Sequence, residues 1–355
     1  MNLNPKIAIV GTFKTLSSIS IINNRLYSYL FSHGFNICQL ESLSKISDIN
    51  NIDMVITHNW PPFFNLKRFA KCKKCIILPW EYEFIPNDWI EPLNTVFDEI
   101  WVPSNFTYKA LINSGIETNI KVIPNGFEPN VFNNAGKKIS CNICSTEKKI
   151  RFLFVGGTIW RKGIDILLEA YTSTFSNRDD VVLIIKDFGN KSFYLNQNFK
   201  EKIHRISANK HSPEIIYIDR DLSMNELSML YRFATCLVHP YRGEGFGMPV
   251  LEALACGKPV IVTKGGATDD FCKKEFAYMI ESVKIRHRLK GLNLVKERVD
   301  IITPKLNSLR FLMYNVYSSL NDAEERGKTG YAFVHKNFTW GKVLERYIER
   351  INFYF

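Results

Sequence analysis

The stretch HPYRGEGFGMPVLEALACGKPVIV, residues 239–262, predicts a glycine-rich loop, a short helix and a strand in succession. The apolar residues before it predict a strand that ends at Val238. Pro249 suits the first helical position, where its missing N–H is not needed. Gly257 and Pro259 predict the end of the helix and the start of the next strand. A strand that leads through a glycine loop into a helix is typical of the ligand edge of a parallel α/β sheet.

The residues of this loop favour an anionic ligand that carries hydroxyl groups. Glycine lets the backbone approach a ligand closely, because it has no Cβ. A helix N-terminus offers unpaired N–H groups and the positive end of the helix dipole. Glu244 lies in the loop and Glu252 about one turn into the helix, where both can accept hydrogen bonds from hydroxyls. We therefore predict that the stretch binds a phosphate that carries sugars.

A cationic pair, Arg161 and Lys162, lies in a second glycine-rich loop after the predicted strand Arg151–Val155. Such a pair, facing a helix N-terminus, would clamp a diphosphate and stabilise the charge that builds on it when a glycosidic bond breaks. The alternative is a solvated pair. A cation near a helix start opposes the dipole, so the alternative is mildly unfavourable.

Strands and helices alternate in two series, which predicts two doubly wound α/β domains. The chain has 355 residues, 46% of them hydrophobic and 23% charged, which suits two globular domains. A polar stretch, residues 133–149, separates the two series. We place the boundary between residues 140 and 141 and end the second domain near residue 338. Each domain has its ligand edge at the carboxyl ends of its strands, which implies a cleft between them.

Strand ends in the first domain supply one donor-side candidate, Gly11, and candidate side chains for the acceptor side. Gly11 ends the first strand, His58 and Trp60 follow the third, and Trp80 and Glu81 follow the fourth. Aromatic rings beside carboxylates suit the face of a sugar and its hydroxyls. The alternatives are a packed aromatic turn and a hydrogen-bonded loop histidine. The first loop lacks a full G-x-G-x-x-G pattern, so a nicotinamide site is not supported.

The net charge of +11 favours anionic partners such as nucleotide sugars or acidic lipid surfaces. The basic residues are dispersed and form no aromatic-basic RNA motif, so nucleic-acid binding is not expected. No apolar run of about 18 residues occurs, and residues 1–6, MNLNPK, lack a signal-peptide pattern. We expect a cytoplasmic location, with peripheral contact at the inner membrane face left open.

Two further stretches leave alternatives open. Residues 281–304 are polar and basic, which favours a solvated charged loop over a patch for an anionic membrane or a lipid diphosphate. Cys72-x-x-Cys75 and Cys141-x-x-Cys144 could together bind zinc. Buried apolar cysteines are the favoured interpretation.

Several segments together resemble retaining glycosyltransferase family 4. Glu244 and Glu252 match its E-x7-E motif within EGFGMPVLEALACGKPVI, and three other segments resemble its donor-binding loop, interdomain segment and C-terminal helix start. These are FVGG (154–157) with RKGIDILLEA (161–170), VIPNGFEPNVF (122–132) and FTWGKV (338–343). The resemblance implies the GT-B fold: two Rossmann-like domains facing across a cleft, with a last helix, about residues 339–355, that crosses back to the N-terminal domain.

The resemblance also implies roles for individual residues. Lys162, with Arg161, would bind the donor diphosphate. Glu252 would hold the ribose hydroxyls, and Glu244 the donor-sugar hydroxyls beside the reacting carbon. Backbone N–H groups for phosphate and sugar would come from Gly245, Phe246, Gly247 and Met248, and the base would be bordered by Asp221 and Leu222. Members need no metal, because side chains and helix ends neutralise the leaving diphosphate, so no cofactor is expected.

The chain departs from the family pattern in two places. The family often has an arginine where Gly157 stands, so Arg161 as the replacement for that charge is a hypothesis. Many members have a histidine at the end of the fourth strand, where this chain has PWEY, residues 79–82. Either Glu81 or His58 would then contact the sugar or the acceptor.

These observations predict a retaining, metal-independent glycosyltransferase. It would move a hexose-type sugar from a UDP- or GDP-sugar to a glycan, lipid-linked or protein acceptor. A glycosidase is disfavoured, because Glu244 and Glu252 belong to one loop-helix unit, whereas a hydrolase places its carboxylates on either side of the bond. The alternatives are a GT-B sugar-nucleotide epimerase or hydrolase and a non-catalytic sugar-nucleotide-binding subunit.

Overall fold

A computed structural model describes residues 5–15, 17–41, 51–135, 143–188, 199–288 and 298–355. The chain divides into two compact units, residues 1–126 with 340–355, and residues 127–339. The second unit thus begins before the predicted boundary at 140/141. The reason is that Phe127 and Phe132 are buried in the hydrophobic core of the second unit.

The first unit is a six-stranded sheet in which every strand pair is parallel. Its strands are β1 (Lys6–Gly11), β2 (Asn36–Leu40), β3 (Met54–His58), β4 (Lys73–Ile77), β5 (Glu99–Val102) and β6 (Asn119–Val122). The strand order is β2-β1-β3-β4-β5-β6. Connections leave β1 and β3 in opposite directions along the sheet, so the topological switch point lies between these two strands.

The helices of the first unit are α1 (Ser18–Ser32), α2 (Asn87–Val96), α3 (Asn105–Asn113) and α10 (Trp340–Tyr354). Ser17 and Ser104 cap α1 and α3 by accepting hydrogen bonds from backbone N–H groups in the first turn. The C-terminal helix α10 belongs to this unit. Its Tyr347 packs edge-on against Trp101 of β5 at 5.2 Å, and Arg350 pairs with the buried Glu99 at 3.0 Å.

The second unit contains a six-stranded parallel sheet and a two-stranded antiparallel hairpin. Its strands are β7 (Ile150–Val155), β8 (Val181–Lys186), β9 (Glu214–Ile218), β10 (Cys236–His239), β11 (Val260–Thr263), β12 (Ala277–Ile280), β13 (Ser282–Arg288) and β14 (Arg298–Pro304). Its helices are α4 (Ile164–Thr174), α5 (Lys200–Ser207), α6 (Met224–Phe233), α7 (Met248–Ala255), α8 (Leu306–Ser318) and α9 (Leu320–Asn337).

The parallel sheet of the second unit has the order β12-β11-β10-β7-β8-β9. In chain order this is the doubly wound arrangement 3-2-1-4-5-6 of dinucleotide-binding folds, with its switch point between β7 and β10. Fully buried β strands such as β8 explain the continuous apolar runs in the sequence, because helices cover both faces. The prediction of two Rossmann-like domains is confirmed.

The prediction of a solvated loop at residues 281–304 is wrong. The described part of this stretch is the β13–β14 hairpin, with Lys284 opposite Ile302 and Arg286 opposite Asp300. In β13, apolar and basic residues alternate with a period of two, which is the pattern of a strand, although Val283 and Ile285 are exposed. Three β14 residues, Val299, Ile301 and Ile302, are buried.

The cysteines of the zinc alternative lie in different places. Cys72 and Cys75 are buried in the first unit, and Cys144 is buried in the second. Cys141 lies outside the described residues. In the ranges that the structure describes, no three His, Cys, Asp or Glu side chains are grouped so as to hold a metal ion.

Among the described residues, no helix has the length and apolar character needed to cross a bilayer.

Candidate functional site

Two loops meet at the switch point of the second sheet. One leaves β7 and contains a 3₁₀ turn, Trp160–Lys162, directly before α4. The other leaves β10 at His239 and leads into α7. The crevice at such a point, beyond the carboxyl ends of the strands, is where ligands bind in open α/β sheets.

Glu244, in the second loop, is the centre of a buried charged cluster. Its residue exposure is only 7%. The Lys162 ammonium donates to Oε1, and His239 Nε2 lies 2.9 Å from the same oxygen. Arg161 Nη1 lies 3.8 Å from Oε2. The structure therefore brings together Glu244, Arg161 and Lys162, which the sequence analysis selected in two separate loops.

The protonation states in this cluster follow from burial and charge. Burial alone would raise the pKa of Glu244, but the Lys162 ammonium, the His239 hydrogen bond and Arg161 outweigh it and hold the pKa well below its usual range. Burial lowers the pKa of His239 in spite of the neighbouring carboxylate. A neutral His239 then donates its Nε2–H to an ionised Glu244. A carboxylate so stabilised is a weak base and a weak nucleophile.

Arg242 joins the two loops, and the sequence analysis did not select it. Its guanidinium binds both oxygens of Asp165 in α4, at 2.7 and 2.8 Å, and donates to the Trp160 carbonyl at 2.7 Å. Its backbone N–H donates to the Arg161 carbonyl, also at 2.7 Å. Arg161 Nη1 in turn donates to the Gly243 carbonyl at 2.6 Å. Each partner is about 80 residues away in sequence, so no local pattern predicts these bonds.

Two glycines are required by geometry at this site. Gly163 has φ of 75°, and a Cβ there would collide with the Pro240 carbonyl of the other loop. Gly247 has φ of 97° and caps α7, and a Cβ there would lie 2.7 Å from Thr268 Cγ2. Side chains are strained in this left-handed region. The glycine pattern of the sequence thus reflects close packing between the loops.

Glu252, on α7, has a separate environment. Tyr231 of α6 donates its hydroxyl to Oε2 at 2.8 Å. Burial raises the pKa of Glu252 to about 7, against the opposing effect of that hydrogen bond. The two glutamates of the motif therefore differ: Glu244 is firmly ionised, and Glu252 titrates near neutral pH.

The remaining donor-side candidates lie along the same sheet edge. Gly157 follows the end of β7, and Asp221 and Leu222 lie between β9 and α6, where Ser223 and Glu226 form a capping box. The other loop candidates, Gly245, Phe246 and Met248, lie between β10 and the first residue of α7.

Lys186, at the end of β8, is a residue that the sequence analysis missed. It is completely buried, and its ammonium donates to the Asp187 carbonyl. Burial lowers its pKa, against the effect of the Asp187 and Asp221 charges. The Asp187 carboxylate accepts hydrogen bonds from Thr158 and Tyr217. Polar residues at the ends of β7, β8 and β9 are thus linked beside the glycine loop.

In the first unit, His58 and Gly11 are register partners at the β1–β3 switch point. Asn23 of α1, which the sequence analysis did not select, donates to the His58 carbonyl at 3.2 Å, and its Oδ1 lies 2.7 Å from His58 Nδ1. Burial lowers the pKa of His58 to about 3, so the ring is neutral. A Cβ on Gly11 would collide with Asn23, so packing explains this glycine without a ligand.

The aromatic residues after β3 and β4 form a packed cluster. Trp80 contacts Trp89 at 5.1 Å and Trp60 at 6.0 Å, and its Nε1 donates to the Phe84 carbonyl at 2.8 Å. Trp80 is completely buried, so it has no face to offer an acceptor, which corrects the prediction for that residue. Trp60 and Glu81 are partly exposed.

Comparisons with known proteins agree with this geometry. Residues 142–298 match the model of the family described as glycosyl transferases group 1. The matched segment contains both loops of the charged cluster. An uncharacterized glycosyltransferase of Methanocaldococcus jannaschii is 33% identical over 137 residues, which cover 38% of this chain and 34% of that protein. The chain spans between 34% and 58% of the length of this and two other curated relatives.

Solved structures match nearly the whole chain at low sequence identity. Sucrose-phosphate synthase from Thermosynechococcus elongatus has a TM-score of 0.74 and 13% identity, with 98% of each chain covered. Anabaena HepE, in complex with UDP and glucose, has a TM-score of 0.69 and 13% identity, with 98% of this chain and all of that one covered. These likenesses confirm the GT-B fold that was predicted from the resemblance.

Proposed function

We propose that the protein is a retaining glycosyltransferase that transfers a hexose-type sugar from a UDP- or GDP-sugar. The observation that carries the proposal is the buried Glu244, held by Lys162, Arg161 and His239 at the switch point of a sheet. This cluster lies within the segment that matches group 1 glycosyl transferases. The UDP and glucose bound to HepE, a protein of the same fold, agree with a nucleotide-sugar donor.

In the proposed reaction, Lys162 and Arg161 bind the donor diphosphate. The bond between the anomeric carbon and the diphosphate oxygen breaks while the acceptor hydroxyl oxygen bonds to that carbon on the same face. The hydroxyl proton passes to an oxygen of the leaving diphosphate, on which negative charge builds as the bond breaks. The buried Arg161, the partly buried Lys162 and the N-terminal N–H groups of α7 stabilise that charge, most strongly where water is excluded. Gly245, Phe246, Gly247 and Met248 provide this backbone, and Asp221 and Leu222 border the base.

Glu244 acts by holding donor-sugar hydroxyls beside the reacting carbon. Its depressed pKa supports this role over that of a general base, because a carboxylate stabilised by two cations has little affinity for a proton. Glu252 holds the ribose hydroxyls. The cations neutralise the leaving group, and the proposed reaction therefore requires no metal ion.

The acceptor is a glycan, a lipid-linked sugar or a protein. The residues that would contact it belong to the first unit. His58 is neutral, and the Asn23 amide oxygen accepts its Nδ1–H, which leaves Nε2 as a hydrogen-bond acceptor. Glu81 and Trp60, both partly exposed, are the alternatives at the same sheet edge. A cytoplasmic location and contact with an anionic membrane surface stay predictions.

The decisive experiment is a donor panel. The protein is mixed with UDP-, GDP- and ADP-sugars, with and without a mixture of glycan, lipid-linked and peptide acceptors, and the release of nucleotide and the product are measured. Transfer that depends on an acceptor, with the anomeric configuration of the donor kept in the product, is the expected result. Inversion in the product would contradict the retaining mechanism.

The same panel separates the alternatives. Consumption of a nucleotide sugar without any acceptor would favour an epimerase or hydrolase. Nucleotide binding without turnover in the presence of each acceptor tested would favour a non-catalytic binding subunit. The presence of Lys162, Glu244 and Glu252 together disfavours that last alternative.

A further inference from the structure

The β13–β14 hairpin, residues 282–288 and 298–304, begins at the carboxyl edge of the second sheet. One hydrogen bond closes its root, and two others fix the root to the domain. The Lys305 N–H donates to the Glu281 carbonyl at 2.7 Å, the Glu281 N–H donates to Ser308 Oγ at 3.0 Å, and the Ser282 hydroxyl donates to the Lys264 carbonyl at 2.7 Å. The hairpin therefore leaves the sheet from a rigid base.

The contacts of the hairpin show the path that it takes from this base. Near the root, a Cβ on Gly265, after β11, would lie 3.6 Å from Ser282 Oγ. Further along, a Cβ on Gly266 would meet both Ile302 of the hairpin and Tyr241 of the β10–α7 loop. The successive contacts thus belong to the loops after β11 and β10.

At the end of its described part, the hairpin reaches the loop after β7. The His287 ring stacks on Trp160, with centroids 4.6 Å apart and planes 25° apart. From β12 to β7 the sheet spans three strand spacings, about 14 Å, and the five residue-to-residue steps from Ser282 to His287 extend about 17 Å. The hairpin is therefore long enough to cross the carboxyl edge of β11 and β10.

Trp160 is the residue through which such a contact reaches the charged cluster. It is the first residue of the 3₁₀ turn that carries Arg161 and Lys162. Apart from His287, its ring contacts the Arg242 guanidinium at 4.3 Å, and its carbonyl accepts from Arg242. Arg242 holds the turn from the Glu244 loop, and His287 holds it from the hairpin.

We propose that His287 is a positioning residue for donor binding, which it achieves by fixing Trp160 and hence the Arg161–Lys162 turn. The inference rests on the proposed function, since it takes this turn as the diphosphate site. His287 touches neither donor nor acceptor in this role. The hairpin that carries it is packed independently, through the buried Val299, Ile301 and Ile302. Loss of the imidazole should thus loosen the turn without unfolding the domain.

The test compares variants for binding of UDP, with GDP and ADP in parallel, by calorimetry. An aromatic pair contributes an amount that corresponds to about a three- to tenfold change in Kd. We expect His287→Ala to weaken nucleotide binding by that factor and raise donor KM with little change in kcat. His287→Phe should restore binding, because it keeps a ring at the position. Lys284→Ala, on the opposite face of the same strand, is the matched control and should bind as the wild type does.

A double-mutant cycle with Trp160→Ala makes the assignment specific. If His287 acts through Trp160, the double variant should bind nucleotide no more weakly than Trp160→Ala alone. Additive losses, or a His287→Ala variant that binds as tightly as the wild type, would overturn the inference. Failure of the wild-type protein to bind any nucleotide would instead contradict the proposed function. A thermal melt of each variant separates a loosened turn from an unfolded domain.

Discussion

Tyr231 donates its hydroxyl to Glu252, with 2.8 Å between the phenolic oxygen and Oε2. Burial raises the pKa of this carboxyl to about 7, so Glu252 changes charge near neutral pH. An ionised carboxylate accepts hydrogen bonds from ribose hydroxyls more strongly than a protonated one. We expect UDP binding to weaken as the pH falls through about 7, measured by calorimetry. Glu252→Gln should bind more weakly at high pH and lose this dependence.

The same titration makes a prediction for stability. The pKa of Glu252 is near 4.5 in the unfolded chain and about 7 in the folded protein, so the folded protein binds more protons between these values. Its contribution to the free energy of unfolding is complete below about 4.5 and is lost as the pH rises through about 7. The difference in unfolding free energy between wild type and Glu252→Gln, from urea titrations, should fall across this window. A difference in unfolding free energy that stays constant with pH would show that Glu252 does not titrate in this window.

Substitution of Glu244 should separate catalysis from binding. Glu244→Gln keeps the shape but removes the charge that holds the donor sugar, and we expect a loss of about 10²–10³ in kcat, the scale for one preorganised polar group. UDP affinity should change little, because Lys162 and Arg161 remain. The measurements are transfer rate and UDP Kd. Glu169→Gln, an exposed glutamate on α4, is the control. Normal transfer by Glu244→Gln would refute the proposed role.

Arg161 should act on the diphosphate and not on the base. Removing a charge-assisted hydrogen bond costs about 1.5–3 kcal/mol, so Arg161→Ala should lose that much affinity for UDP. Its affinity for uridine, which has no phosphate, should stay close to that of the wild type. Arg178→Ala, an exposed arginine in the same unit, controls for net charge. Equal losses for UDP and uridine would indicate a distorted loop and would move the diphosphate role to another residue.

The fold was predictable because local signals agreed along most of the chain. Ser17, Ser104 and Ser223 each cap the helix that directly follows them, and the apolar runs mark the strands. A cap or a run depends on neighbours within a few residues, so one sequence contains the whole signal. The β13–β14 hairpin was predictable in principle from its alternating residues. Its many charges instead favoured a loop.

The site was only partly predictable, because its supporting contacts are long-range. Glu244 and Lys162 lie in recognisable glycine loops, but His239, Arg242 and Asn23 gain their meaning from partners on other elements. Whether Trp80 faces solvent or the core depends on rings that follow other strands, such as Trp60 and Trp89. An aromatic residue next to a carboxylate has the same local sequence in both cases.

Removal of divalent metals should leave transfer intact. In the proposed mechanism two cationic side chains and a helix N-terminus stabilise the leaving diphosphate, and a metal ion would duplicate their charge. The expected result is an unchanged rate after treatment with EDTA and dialysis. A lost rate that returns on addition of Mg²⁺ or Mn²⁺ would contradict metal independence. A titration of UDP affinity in the same buffers would show whether the metal acts on nucleotide binding.

Gly11 and Gly341 form a matched pair for testing the β1–β3 switch point. A Cβ on Gly11 would collide with Asn23 Nδ2 and lie 2.6 Å from the His58 carbonyl, whereas a Cβ on Gly341, in α10, meets no atom. Gly11→Ala should lower the free energy of unfolding by about 1–3 kcal/mol, the usual effect of overpacking a core.

Gly341→Ala is the control for Gly11→Ala. Gly341→Ala should be neutral or raise stability by up to about 1 kcal/mol, because alanine is the better helix former. Both values come from urea unfolding.

Because Asn23 also holds His58, Gly11→Ala should weaken acceptor binding. The acceptor KM should rise, while UDP affinity, a property of the second unit, should stay constant. Equal stability of the two variants would show that Asn23 can yield, and the packing explanation for Gly11 would then fail.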